Sequence, residues 1–82
     1  MQHQADLELD LTGLDSPLPM LKTKDAIDRM TPGQVVLVKT TASGSEQNIR
    51  NLMGNHPATL LAFDKVDGIF HFLIEKTLSQ PG

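Results

Sequence analysis

Leu7, Leu9 and Leu11 alternate with Glu8, Asp10 and Thr12 near the start of the chain. A period of two is the pattern of a strand with one buried face, and it predicts a strand over about 7–12. Beyond Gly13 the period lengthens. Met20, Thr23, Ala26, Ile27 and Met30 fall on one arc of a helix, with Lys22, Asp25, Asp28 and Arg29 opposite, which predicts a helix from Pro17 to Thr31. Thr31-Pro32-Gly33 ends it, since proline cannot continue a helix and glycine tolerates the reversal. Val35-Val36-Leu37-Val38-Lys39-Thr40 is a β-branched run of strand length, read as a central strand beside the first. The next helix is shorter: Ser43-Gly44-Ser45-Glu46 contains a capping-box pattern, Ile49, Leu52 and Met53 follow at helical spacing, and Gly54 stops it. Residues 58–64 and 69–77 then read as two strands around Lys65-Val66-Asp67-Gly68, where Asp-Gly is a hairpin signal, with Phe70, Phe72 and Ile74 on one face.

The resulting order, βαβαββ, predicts an α/β two-layer sandwich: a four-stranded mixed sheet with both helices on one face. The first crossover is expected to be right-handed, which sets the start of the first helix beside the carboxyl end of strand one. Residues 7–78 form a single domain in this reading, with residues 1–6 and 79–82 as flexible tails.

Composition narrows the function classes. Eighty-two residues allow one small core, and with three Phe and no Trp or Tyr that core must be largely aliphatic. There is no cysteine, which removes disulfides, thiolate metal sites and a cysteine nucleophile from the chain. His3, His56 and His71 lack the spacing of metal ligands. The net charge of −3 offers no general attraction for phosphate backbones, so direct nucleic-acid binding is not expected. No apolar run approaches the ~18 residues that span a bilayer, and Met1-Gln2-His3-Gln4-Ala5-Asp6 has neither a basic nor a hydrophobic segment. Neither a membrane partner nor a cofactor is expected, and the predicted location is cytoplasmic.

The stretch from Leu9 to Pro19 holds the candidate chemistry. Ser16 reads as the N-cap of the first helix, with Pro17 at the first helical position and Pro19 stiffening the first turn. Because Pro19 cannot donate, the Ser16 oxygen is expected to accept from the N–H of Leu18 or Met20. Asp10 reads as a solvent-facing strand residue and Asp15 as a turn residue whose charge suits a helix start. Leu18 and Leu21 lie away from the buried arc, beside Ser16. They read either as a docking patch or as packed under a neighbouring loop. Lys22, with Lys24 and Arg29, reads as a solvated helix face and borders the same patch.

This stretch resembles the signature of the TusA/SirA sulfur-carrier family, Leu-Asp-X-X-Gly-Leu-X-Cys-Pro-X-Pro. Leu9-Asp10, Gly13-Leu14, Pro17 and Pro19 match it, Met20-Leu21-Lys22-Thr23-Lys24 continues it, and Pro32-Gly33 is similar to the family's helix-ending turn. Thr41-Ala42-Ser43 stands where many relatives carry Asp-Asp-Pro, and Ser16 stands where the family has its cysteine. The resemblance, which runs from Leu9 to about Lys76, implies a protein whose cysteine accepts a sulfane sulfur as a persulfide and passes it on. It implies a cysteine desulfurase or rhodanese-type donor and a sulfur-acceptor protein, in tRNA thiolation, molybdenum-cofactor metabolism or sulfur oxidation. Catalysis would rest at the position of Ser16, supported by Asp10, Gly13, Asp15, Pro17 and Pro19, with Leu18, Leu21 and Lys22 facing partners. A serine hydroxyl is too weakly acidic to hold and relay the sulfur. The leading expectation is a monomeric sulfur carrier in an inactive Cys-to-Ser form produced by engineering. The rival is a naturally cysteine-less paralogue acting as a binding or regulatory module.

Overall fold

The computed structural model describes residues 5–78. Its elements are β1 (Leu7–Leu11), α1 (Leu18–Arg29), β2 (Val35–Thr40), α2 (Ser45–Met53), β3 (Ala58–Val66) and β4 (Ile69–Lys76), the order read from the sequence. The flexible tails expected at 1–6 and 79–82 lie outside the described residues except for Ala5 and Asp6. Asp6 reaches the sheet: its N–H donates to the Val35 carbonyl and its carboxylate accepts from the Val35 N–H, each at 2.7 Å.

The sheet runs β1-β2-β4-β3. β1 and β2 are parallel, with Leu9 beside Val38 and Leu11 beside Thr40, and the other pairs are antiparallel. Pairing two parallel neighbours requires a crossover, which α1 supplies. It follows that β1 and β2 end on the same side of the molecule, and the loops leading into both helices gather there.

Both helices cover one face of the sheet. Ile27 and Met30 from α1, and Ile49 and Leu52 from α2, pack with Val36, Val38, Phe72 and Ile74 in a single core. Of the arc expected on α1, Thr23, Ile27 and Met30 are buried while Met20 and Ala26 are half-buried at its margin. Thr23 tolerates burial because its hydroxyl donates to the Pro19 carbonyl one turn back, at 2.7 Å. Phe70 joins Phe72 and Ile74 on the core side, as their alternation implies.

Two local expectations give way. Plain alternation through 58–64 would align Leu60 with Ala62, but the pairing slips between these residues, leaving Leu61 as the extra residue of a bulge. Phe63 then faces inward, opposite Phe72, with ring centroids 5.1 Å apart. Four consecutive apolar residues hide such a phase change, because either side chain of each neighbouring pair could serve the core. The capping box at α2 is the second. Gly44, at φ 85°, is the cap residue and uses no side-chain bond, while Ser45 turns its hydroxyl into the core against Thr40. The hairpin turn forms as Asp-Gly predicts: Asp67 and Gly68 both take positive φ, and Val66 pairs with Ile69.

Candidate functional site

The site grows from the ends of the two parallel strands. After Leu11 the chain turns back on itself, with Leu14 N–H donating to the Leu11 carbonyl at 3.3 Å. Gly13 makes this turn at φ 85°, in the left-handed region that a side chain would strain. Two side-chain bonds fix its shape. The Asp10 carboxylate accepts from the Thr12 hydroxyl at 2.7 Å and from the Thr12 N–H at 3.2 Å. The Gly13 N–H donates to Thr41 Oγ1, across from the end of β2, at 2.9 Å. The bond from the Thr12 hydroxyl is the main reason that the Asp10 carboxyl titrates below the ordinary carboxylate range. Asp10 is thus a bracket of the turn, and nothing pairs it with Asp15.

Asp15, Ser16 and Pro17 are exposed, whereas Pro19 is fully buried against the core. The placement of Ser16 as N-cap needs correction. The cap residue of α1 is Pro17, at φ −97° and ψ 15°, and it makes no side-chain cap bond. The Leu18 N–H expected to reach Ser16 goes instead to the Asp15 carbonyl at 2.9 Å, and the first intrahelical bond runs from Leu21 N–H to the Pro17 carbonyl at 3.1 Å. Pro17 therefore stands one step before the first helical position, and Pro19 occupies the second. The helix start loses nothing by this shift, since a proline in the first turn lacks only a donor that would have had no helical acceptor.

Freed from capping, Ser16 Oγ accepts from Nδ2 of Asn48, in the first turn of α2, at 2.7 Å. Asn48 was not legible as a site residue, because 32 positions separate it from Ser16. The one available signal was topological: parallel β1 and β2 bring their following loops to the same sheet end, where binding sites of α/β sheets collect. Thr41 was hidden for the same reason.

Leu18 and Leu21 are 43% and 47% exposed. They lie on the outer face of α1 in the turns that follow Ser16, and among the described residues no loop buries them. Lys22 is exposed beside them and borders a groove between α1 and β1 that includes Leu7, Leu9, Asp25 and Arg29. Among the described residues, no three His, Asp or Glu side chains cluster as metal ligands, and no helix is long and apolar enough to cross a membrane.

A small mixed sheet covered on one face by two helices is also the form of a SirA-like protein from Desulfitobacterium hafniense. The two superpose with a TM-score of 0.66 at 25% identity, over 88% of this chain and 99% of that one. In sequence, the chain is 38% identical over 72 residues to the sulfur carrier protein TusA of Allochromatium vinosum, covering 88% of this chain and 95% of the relative. Residues 7–76 match the sequence model of the family described as Sulfurtransferase TusA. The chain belongs to the TusA family of sulfur carriers, as its turn and signature imply.

Proposed function

We propose that this protein is a TusA-type sulfur carrier whose carrier position is occupied by Ser16, so that the chain as it stands is an inert Cys-to-Ser form. The observation that carries this reading is the setting of Ser16. It holds the signature position, is exposed, lies at the opening of a helix, and has a side-chain donor aimed at its Oγ. A thiolate there would attack the terminal sulfur of a donor's persulfide, forming a new sulfur–sulfur bond and releasing the donor's cysteine as a thiolate. The acceptor would then take the sulfane sulfur by the same exchange in reverse roles. A hydroxyl cannot enter this cycle, since it remains protonated near neutral pH and, among the described residues, the side chain hydrogen-bonded to it is the Asn48 amide, which is no base.

The partners in this reading are a cysteine desulfurase or rhodanese-type donor and a sulfur-acceptor protein. They would dock on Leu18, Leu21 and Lys22 beside the carrier position. Asp10, Gly13, Asp15, Pro17 and Pro19 shape the turn. The protein would act as a cytoplasmic monomer without a cofactor. The serine is read as an introduced replacement, which the coding sequence at codon 16 decides. The bond that Ser16 accepts in the present chain favours one second reading, a naturally cysteine-less family member that keeps the docking surface as a binding module.

Ser16→Cys tests the proposal. Incubated with a desulfurase or rhodanese donor, that variant should gain one sulfane sulfur by intact-mass spectrometry, and the present chain none. Failure of the variant to take up sulfur from several donors would favour the binding module.

A further inference from the structure

We infer that Asn48 is the positioning residue of the carrier site: its side-chain amide donates to the atom at the end of the position 16 side chain and favours the anionic form of a sulfur placed there. The inference rests on reading position 16 as the carrier position. Four observations support it. The Nδ2–Oγ distance of 2.7 Å is short for an amide donor. The bond joins side chains from separate elements, so local turn geometry does not create it. Asn48 is held from behind, since its backbone N–H donates to the Gly44 carbonyl at 3.1 Å and its neighbour Ile49 is fully buried. The start of α2 is pinned in turn by the buried Ser45–Thr40 hydroxyl pair at 2.7 Å.

The chemistry follows from what each atom can exchange. A serine hydroxyl can both donate and accept, so it would accommodate either end of the Asn48 amide. A thiolate has no proton to give and fits only the Nδ2 end. A donor that bonds to the charged form of an acid and not to its neutral form lowers the pKa of that acid. The thiolate fraction at neutral pH rises accordingly, and with it the supply of nucleophile for sulfur uptake. Helix α1 contributes to the same end through its N-terminal dipole, but Pro17 and Pro19 remove two of the N–H groups that would otherwise face the site. The Asn48 amide supplies a donor where those are missing.

The test compares thiol pKa values in the Ser16→Cys protein with and without Asn48→Leu and Asn48→Asp. The values are read from the pH dependence of thiolate absorbance and of alkylation rate, with no sulfur donor present. Asn48→Leu should raise the thiol pKa by about half to one unit, a roughly three- to tenfold loss of thiolate below the pKa. Asn48→Asp should raise it further, because a carboxylate offers a like charge in place of a donor. Asn48→Asp also keeps the side-chain shape, so it decides the matter if Asn48→Leu does not fold. An unchanged pKa in whichever folded variant is measured overturns the assignment. Since no donor enters the measurement, a shift would stand even if the Ser16→Cys protein accepted no sulfur in the uptake experiment, and the two ideas fail separately.

Discussion

Two side-chain bonds of equal length, 2.7 Å, lie at the same end of the sheet and serve opposite ends. Thr40 and Ser45 exchange theirs inside the protein, both fully shielded from water. Ser16 and Asn48 make theirs at the surface, with Ser16 exposed. In the first pair, each hydroxyl satisfies a group that has no water to turn to, so the bond is a condition of folding. In the second, water could replace either partner, so the bond adds little to stability and leaves the position open to chemistry. The lesson is that distance alone does not rank a hydrogen bond; the solvent that would replace it does.

The largest effect should come from the core beneath both pairs. Ile27→Ala should destabilise the domain by roughly 2–4 kcal/mol through lost contacts and the cavity left behind, as read by thermal or denaturant unfolding. Next is the buried pair itself. Ser45→Ala should cost about 1–3 kcal/mol by stranding the Thr40 hydroxyl, whereas combining it with Thr40→Val should recover much of the loss, since no polar group is then left unpaired. A double variant no better than the single one would show that the pair matters for shape and not for polar satisfaction. At the surface, Ser16→Ala should change stability by no more than about 0.5 kcal/mol. A loss well above about 2 kcal/mol would erase the contrast between the two bonds and favour a serine selected for structure. Leu18→Glu and Leu21→Glu should likewise stay within about 0.5 kcal/mol, and unfolding by either would return these leucines to the core.

The smallest expected effect is one of pH. The Asp10 carboxyl has a folded pKa below its unfolded value, so the stability it contributes is present above the unfolded pKa and is lost as pH falls through the folded one. Thr12→Val removes the hydroxyl responsible. Melting curves of the two proteins should differ slightly near neutral pH and converge in acid below the ordinary carboxylate range. A gap that persists unchanged in acid would mean that Thr12 acts through packing.

Most of the fold was legible because its signals are local. Strand β2 spans Val35–Thr40 as the β-branched run indicates, and Asp67-Gly68 marks the hairpin. Helical phase sets Leu18 and Leu21 off the buried arc but leaves open whether a loop covers them, and the structure shows both exposed. What escaped was whatever depends on a choice between equivalent residues or on distant partners. The bulge at Leu61 hides in a run where every side chain is apolar. Ser-Pro at a helix start usually caps, so Ser16 reads as a cap, and the competing acceptor of the Leu18 N–H, a backbone carbonyl, has no sequence mark. Thr41 and Asn48 belong to the site only through the parallel pairing of β1 and β2.

That pairing separates two things that sequence comparison treats as one. A synthetic peptide copying residues 9–24 would contain every letter of the family signature that this chain keeps, all but the cysteine, yet it would lack both the hydroxyl that receives the Gly13 N–H and the amide that meets Ser16. Such a peptide would be a recognisable label without the acceptor that fixes its turn or the donor that meets its serine. In the intact chain these groups come into register only when β1 and β2 lie side by side, so the site is present in the folded molecules of a population and absent from the rest.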